Sequence, residues 1–558
     1  MKLKKLVFSF ITIIFLLAGC SNIQSNPNNK YELVVIHLND VHGRAEEGKY
    51  DGMGYPKVAS IINKYREVFG KENVLYLDAG DNIHGTTFAT LEKGESMINL
   101  SNEMGLDAIA LGNHDFNYGM EQLLKLENIA DFKFLTTNVL TKDGNPIGTK
   151  YIIRKIRGVK VGIFGLTTPE TVYKANPQIV KNLIFADPID TAKKTTEELK
   201  KKGVQFIIAV THLGDDPSTK YEWQSVGLAE SVPEINLIID GHSHTVLKNK
   251  TVVNGVTIVQ TGEYDKNIGI VKIDFDELAY GEKSIYPILL SKDEVNSGKD
   301  LSVKMELNEK FIVKEDKKIA ELISNIKAQQ QKIISEKIGK TPVVLEASRE
   351  KVRTSETNLG NLVTDAILEK SQADIAITSG GSIRSSIGIG DITIENIISV
   401  LPFGNYVVVK ELTGKQIWDM FENGFSKYPE TDGRFPQFSG ATVTFNPKKP
   451  AGKRVENITL KNGTPLDLNK TYKVASDDYI AVGGDEYNMF INAKEVANYP
   501  ALTEIVIENI KKNGVFICSG IIKEREEDVI NALHDYNFEI IQVKRKGEWV
   551  AIASRYKG

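Results

Sequence analysis

Five stretches of the chain end in side chains that bind metals or move protons. They are YELVVIHLNDVH with Asp40 and His42, NVLYLDAGDNIHG with Asp81, LDAIALGNHD with Asn113 and His114, VQFIIAVTH with His212, and INLIIDGHSH with His242 and His244. Imidazole, carboxylate and amide oxygen together suit Zn, Mn, Fe or Co. Seven of the eight histidines (37, 42, 84, 114, 212, 242 and 244) precede residue 250. One histidine after a strand is ordinarily structural. Six of them, with two aspartates and an asparagine at the ends of five runs, are hard to explain as packing. The densest cluster is LGNHDFNYG, residues 111 to 119, with Asn113, His114, Asp115 and Asn117. Taken alone it fits metal ligands, a proton-handling pair or a polar turn capping the next helix.

The runs that carry these residues are short, rich in β-branched side chains and nearly continuous in hydrophobicity, as strands buried on both faces are. Amphipathic stretches such as Met120 to Glu127 lie between them, which predicts an α/β fold. Ligand sites in such sheets lie beyond the carboxyl ends of the strands, where all five clusters fall. His37 points to the other side of its strand by period-two alternation and reads as structural. His84, three residues past Asp81, sits in a turn as a supporting or merely polar group.

The blocks D-x-H, G-D, G-N-H-[DE], H and G-H-x-H occur in that order between residues 40 and 244. This pattern resembles the metallophosphoesterase (calcineurin-like) family and implies a four-layer αββα sandwich. By the same resemblance Asp40, His42 and His244 hold one divalent ion, Asn113, His212 and His242 hold a second, and Asp81 bridges them. The metal is left open among Zn, Mn, Co and Fe. Chemistry supports two ions independently: a phosphate ester is anionic and repels hydroxide. Two cations about 4 Å apart lower the pKa of a water, neutralise phosphoryl oxygens and align the attack. His114 is then placed to meet the phosphoryl or leaving oxygen.

Apolar residues at 319, 322, 323, 326, 333 and 334 keep helical spacing, so Asp316 to Ile334 is expected to be a linker helix. Beyond it, ASREKVRTSETNLGNLVTDAI, ITSGGSIRSSI, SVLPFGNYVVV and SDDYIAVGGDEY resemble the α/β C-terminal, substrate-binding domain of bacterial and animal 5'-nucleotidases. With the first half, the resemblance covers residues 31 to 510. It implies that Phe403 and Tyr479 sandwich a nucleobase, Asp485 binds ribose hydroxyls, Arg349, Arg353 and Arg384 meet phosphates, and Asn405 contacts the base. Stacking tolerates any base and guanidinium forks grip phosphate. SGGSIR departs from the usual N-G-G-G-I-R by placing Ser379 where an Asn is expected. Asn117 stands where these enzymes usually carry an Asp that forms a dyad with the catalytic His. An amide there orients the His114 ring without charge, or caps the following helix.

At 558 residues the chain is too long for one core. The expected division is a lipoprotein signal peptide (1–19), tether (20–30), metallophosphoesterase domain (31–310), linker helix (311–340), substrate domain (341–515) and tail (516–558). The signal reads from Lys2, Lys4 and Lys5, an apolar run from Leu6 to Leu17, and LLAGC, which resembles a bacterial lipobox with Cys20 as the lipidated residue. Two cysteines exclude a disulfide framework, and a net charge of -4 without a polybasic block gives no reason to expect a nucleic-acid polymer as partner. The tail from residue 519 reads strand, helix, strand and hairpin. It resembles the C-terminal end of ribosomal-protein lysine methyltransferases without the glycine loop of their cofactor half. It is expected to be a fused fragment without catalytic role, or else a native unit packed on the second domain. The function expected is an exported, membrane-anchored dimetal phosphohydrolase acting on nucleotides, monomeric or weakly dimeric. Rival readings are a 2',3'-cyclic-nucleotide 2'-phosphodiesterase/3'-nucleotidase, a nucleotide-binding lipoprotein, and an adhesin with a vestigial enzyme domain.

Overall fold

The computed structural model describes residues 31–48, 51–175, 177–217, 219–513, 515–536 and 538–556. The predicted signal peptide, tether and Cys20 lie outside them. Among the described residues no helix is long and apolar enough to cross a membrane.

The first domain is built from two six-stranded sheets. One runs in the order Ile285–Ser291, Asn267–Ile273, Leu33–Leu38, Val74–Asp78, Ala108–Ala110, Lys133–Leu135. The other runs Thr251–Val253, Val256–Val259, Leu237–Ile239, Phe206–His212, Val159–Thr167, Tyr151–Ile156. Strand alternation divides each strand between two cores. Leu33, Val35 and Leu77 pack with Val161, Ile208 and Leu237 from the other sheet. Val34 and Ile36 pack with Val58, Ile61 and Ile62 of the helix Tyr55–Phe69. On the far side, Ile207 and Ala209 meet Ile189, Ala192 and Leu199 of the helix Pro188–Lys201. The result is helix, sheet, sheet, helix, the four layers expected. The strands leading to Asp40, Asp81 and Asn113 are mutually parallel, as are those leading to His212 and His242, so each sheet brings its ligands to one edge.

The second domain is a five-stranded mixed sheet in the order Pro436–Ser439, Ile375–Ser379, Thr471–Asp477, Tyr406–Thr413, Lys494–Ala501. Leu359, Val363 and Ile367 of the helix Asn358–Ser371 cover one face with Leu502 and Ile505, and Ile417, Met420 and Phe421 cover the other. The linker helix spans Lys317–Ile334, with the Asp316 carboxylate accepting from the N–H groups of Lys318 and Ile319. It is shared between the domains: Ile319, Ile323 and Ile326 lie in the first core, and Ile333 and Ile334 pack against the second.

The tail forms the strand Val515–Ile522, the helix Glu526–Asp535 and the strands Phe538–Lys546 and Trp549–Tyr556 in a three-stranded antiparallel sheet. Residue 516, where the tail was expected to begin, falls inside the first of these strands. Cys518, Ile521, Leu533, Phe538, Val550 and Ile552 are buried in one core with Leu345, Val352, Leu359 and Val363. That favours the packed unit over a loosely appended fragment. Leu533→Ala should therefore destabilise the second domain by about 2–5 kcal/mol, the cost of emptying a buried leucine site. Urea unfolding of the whole chain checks this. Melting of the tail in its own transition, with the domain unchanged, would show that the tail is only appended.

Candidate metal centre and substrate cleft

Two overlapping groups have ligand atoms within 4.8 Å of one another: Asp40, His42 and His244, and Asp40, Asp81 and His212. His42 Nε2 and His244 Nε2 are 3.3 Å apart. Asp81 Oδ2 lies 3.1 Å from His212 Nε2 and 3.9 Å from His42 Nε2, between one imidazole of each predicted set. Asp40 Oδ1 also faces both sets, 3.3 Å from His244 Nε2 and 3.9 Å from His212 Nε2. The other carboxylate oxygens are held: Asp81 Oδ1 accepts from the His114 N–H at 2.8 Å, and Asp40 Oδ2 from Asn39 Nδ2 at 2.7 Å and the His242 N–H at 3.0 Å. Each aspartate thus presents one oxygen to the centre.

The outer nitrogens are held by residues that sequence reasoning did not single out. His212 Nδ1 sits 2.7 Å from the Ala79 carbonyl, His242 Nε2 3.1 Å from Glu170 Oε2, and His244 Nδ1 2.8 Å from Glu263 Oε2. Such partners set ring orientation and tautomer at a metal site. Asn113 donates from Nδ2 to the Lys174 carbonyl at 3.1 Å, which leaves Oδ1 buried without a hydrogen-bond partner. Glu170 and Glu263 lie in loops without periodic or motif signal.

Asp40, His42, Asp81, His242 and His244 all have positive φ, from 51° to 77°. Left-handed backbone costs a non-glycine residue about 1–2 kcal/mol, so five such residues in one place mark a strained site rather than a relaxed turn. A Cβ on Gly112 would stand 2.1 Å from Asp81 Oδ1, so this approach of two loops requires glycine. The charges conflict as well. Burial lowers the His212 and His244 pKa values, but Asp81 and Asp40 outweigh it for His212 and Asp40 for His244, leaving both at about 10. Those protons occupy positions that divalent cations would take, and the imidazole, carboxylate and amide donors fit such ions.

Around His114 the side chains of the polar turn have separate duties. Asp115 accepts from the N–H groups of Gly112, Asp81, Asn82 and Ile83, tying two ligand loops together. Asn117 Nδ2 lies 3.1 Å from His114 Nδ1 and 3.4 Å from His84 Nδ1. It does not cap the next helix, whose N-cap is Tyr118 with no side-chain bond. Tyr406, from the second domain, sets its ring edge-on to His114 with centroids 4.4 Å apart. His37 is buried against Gly269, away from the cluster.

The predicted substrate residues gather on the second domain. Tyr479 donates to Asp485 Oδ1 at 3.1 Å and accepts from the Asp485 N–H. Arg384 lies over the Phe403 ring at 5.6 Å. Burial and the charges of Arg349 and Arg384 lower the Arg353 pKa while Asp432 and Asp485 oppose them, placing the three arginines in one field. Phe403 and Tyr479 are 52% and 46% exposed, so both rings are open to a ligand. Asn405 is half-buried, its carbonyl accepting from the Leu502 N–H. Ser379 is buried against Ser382. Phe403 and Gly404 close a cleft of ≈400 Å³ with Arg44, Asp51 and Thr86, where Gly404 at φ 69° passes over Gly85.

Asp81→Ala should lose both ions, His244→Ala should chiefly weaken one site, and Glu263→Gln should weaken metal affinity about 10- to 100-fold. Metal analysis of the purified proteins after dialysis checks all three. Because His212 and His244 carry protons without metal, adding Mn²⁺ should release protons, and affinity should fall toward acid pH.

Comparison with known proteins agrees with this geometry. Residues 33–246 match the family model "Calcineurin-like phosphoesterase", residues 337–492 match "5'-nucleotidase, C-terminal domain", and residues 496–557 match "Ribosomal protein L11 methyltransferase (PrmA)". The chain is 32% identical to the 5'-nucleotidase of Vibrio cholerae over 85% of this chain and 90% of that protein. It is 31% identical to the trifunctional nucleotide phosphoesterase YfkN of Bacillus subtilis over 88% of this chain, which spans only 35% of that longer protein. The crystal structure of a 5'-nucleotidase precursor from Thermus thermophilus superposes with a TM-score of 0.52 at 30% identity, covering 86% of this chain and 96% of that one. With its two paired domains and histidine-carboxylate centre, the chain belongs to the 5'-nucleotidase family of metal-dependent phosphoesterases that hydrolyse nucleotides.

Proposed function

We propose that the chain hydrolyses nucleoside 5'-phosphates to nucleoside and phosphate, and nucleotide sugars to a nucleoside monophosphate and a sugar phosphate. The observation that carries this reading is the segment from Phe403 to Tyr406: Phe403 is exposed on a cleft with Arg44 and lies under Arg384, and Tyr406 packs edge-on to His114 at the histidine-carboxylate cluster. When bound, two divalent ions supply charge neutralisation and an acidified water. Asp40, His42 and His244 would hold one, Asn113, His212 and His242 the other, and Asp81 would serve both. Their identity among Zn, Mn, Co and Fe is open. His114 meets the phosphoryl or leaving oxygen, and Asn117 orients it. Phe403 and Tyr479 stack the base, Asn405 contacts its edge, Asp485 takes the ribose hydroxyls, and Arg349, Arg353 and Arg384 hold phosphate.

The domain limits at residues 310 and 340 belong to this proposal. So does export: the basic start, apolar run and LLAGC support lipid attachment at Cys20 and a place outside the cytoplasm. A second reading, 2',3'-cyclic-nucleotide 2'-phosphodiesterase/3'-nucleotidase, is favoured by Asn117 in GNHDFNYG. Phosphate release from AMP and UDP-glucose, set against turnover of 2',3'-cAMP, separates the two.

Base–aromatic stacking contributes about 1–3 kcal/mol. Tyr479→Ala should therefore raise KM for AMP roughly tenfold, with a smaller effect on p-nitrophenyl phosphate, which has neither base nor ribose. Equal losses on both substrates would make Tyr479 structural. The same pair of assays applies to Phe403→Ala.

A further inference from the structure

Asp485 and Glu486 are consecutive residues in the left-handed region, at φ 50° and 62°. A Cβ in that conformation crowds the following carbonyl oxygen, and Glu, unlike Asp or Asn, rarely adopts it. Two such residues in succession persist only where their surroundings hold them. The hold comes from Arg434. Its guanidinium meets the Glu486 carboxylate as a fork, Nη1 to Oε2 at 3.0 Å and Nη2 to Oε1 at 3.2 Å. Its Nε donates to Asp432 Oδ1 at 3.0 Å, which fixes the plane of the fork. Asn423 donates from Nδ2 to the Asp485 carbonyl at 3.1 Å and accepts at Oδ1 from Arg434 Nη1 at 3.4 Å. The hydroxyl of the buried Tyr487 donates to the Arg434 carbonyl at 2.7 Å. Residues 485, 486 and 487 are thus each tied to Arg434, directly or through Asn423.

An isolated surface ion pair contributes little, but a bidentate pair inside a network is the exception. What the clamped turn presents is the Asp485 carboxylate. Its Oδ1 accepts from the Tyr479 hydroxyl, and a Cβ on Gly433 would stand 3.5 Å from its Oδ2, so the neighbouring loop passes that oxygen as bare backbone. The same loop reaches the arginines of the cleft. The Gly433 carbonyl accepts from the Gly381 N–H at 2.9 Å, the Gly381 carbonyl accepts from Arg384 Nη1 at 3.1 Å, and the Thr431 carbonyl accepts from Arg353 Nη1 at 3.4 Å. Residues 431–434 therefore join the carboxylate to the side chains read as phosphate ligands.

We propose that Arg434 is a positioning residue for ribose recognition: by clamping Glu486 it holds the turn that aims the Asp485 carboxylate at the sugar's cis-diol, and so sets a preference for ribonucleotides. The inference rests on the reading of Asp485 as the group that takes the ribose hydroxyls. Arg434 acts only through Asp485. A carboxylate held at a fixed angle accepts from both hydroxyls at once, whereas one on a relaxed turn loses that geometry.

The test compares AMP with 2',3'-dideoxy-AMP, which lacks both hydroxyls, on the full chain with Mn²⁺. The unmutated protein should favour AMP in kcat/KM by about 10- to 100-fold, the range for hydrogen bonds to a charged group, and Asp485→Ala should remove most of that preference. Arg434→Ala should raise KM for AMP about tenfold, with little change in kcat and little change in KM for the dideoxy substrate. Glu486 is mostly exposed, so Glu486→Ala removes the clamp without opening the core, and it should act in the same direction. The double variant should be no worse than Arg434→Ala alone, because the two residues act as a pair. Equal losses on both substrates in both single variants would make the clamp merely structural and overturn the proposal. If Asp485→Ala removes the preference while Arg434→Ala and Glu486→Ala keep it, the ribose reading stands and the clamp is refuted. If Asp485→Ala leaves the preference intact, the ribose reading fails and the clamp fails with it. Should the protein hydrolyse no nucleotide, calorimetric binding of adenosine and 2',3'-dideoxyadenosine to the same variants makes the same comparison without turnover.

Discussion

Two buried carboxylates, Asp40 and Asp81, converge on His42, His212 and His244 where the two sheets of the first domain meet, and this concentration of charge constrains its surroundings. Buried ions require partners or coordination. Here the partners are imidazoles, two of them held protonated by the carboxylates when no metal is bound. The surrounding backbone accepts left-handed conformations at five ligand positions to maintain this cluster. Asp115 spends its carboxylate on four backbone N–H groups for the same end.

The second domain does more than present a nucleotide. Asn498 donates to the Lys174 carbonyl, which also receives Asn113 Nδ2, and Glu170 on the same loop holds His242. Tyr406 packs on His114, and Glu504 closes the pocket behind His84. Groups from the second domain therefore touch the support of three candidate catalytic or ligand residues. The docked second domain is thus part of the packing around the centre.

The tail combines a resemblance to another family with packing in the core of the second domain. Its match to a methyltransferase model begins at residue 496, inside the strand Lys494–Ala501 that edges the substrate-domain sheet. Its apolar side chains lie in the core that also holds Val352, between Arg349 and Arg353. Whatever its ancestry, its buried face is complementary to this domain.

The sequence by itself determined the parts whose signal is local. Near-continuous β-branched runs of this length suit strands buried on both faces, and polar clusters at their ends lie where parallel sheets place ligands. The histidines and aspartates at the strand ends stood out as candidate metal ligands by type and order, whereas the parts assigned to His114, the aromatic residues and the arginines came only from the family resemblance. Tertiary structure decided what depends on contacts between distant positions. Glu170 and Glu263 read as ordinary loop acids until the fold sets them against His242 and His244. Asn117 read equally well as a cap or a ring-orienting amide, and the placement of the His84 and His114 rings chose between them. His84 and Glu504, 420 positions apart, carry no shared pattern in the chain. Only the docking of one domain on the other brings the His84 imidazole and the Glu504 carboxylate into the same buried pocket.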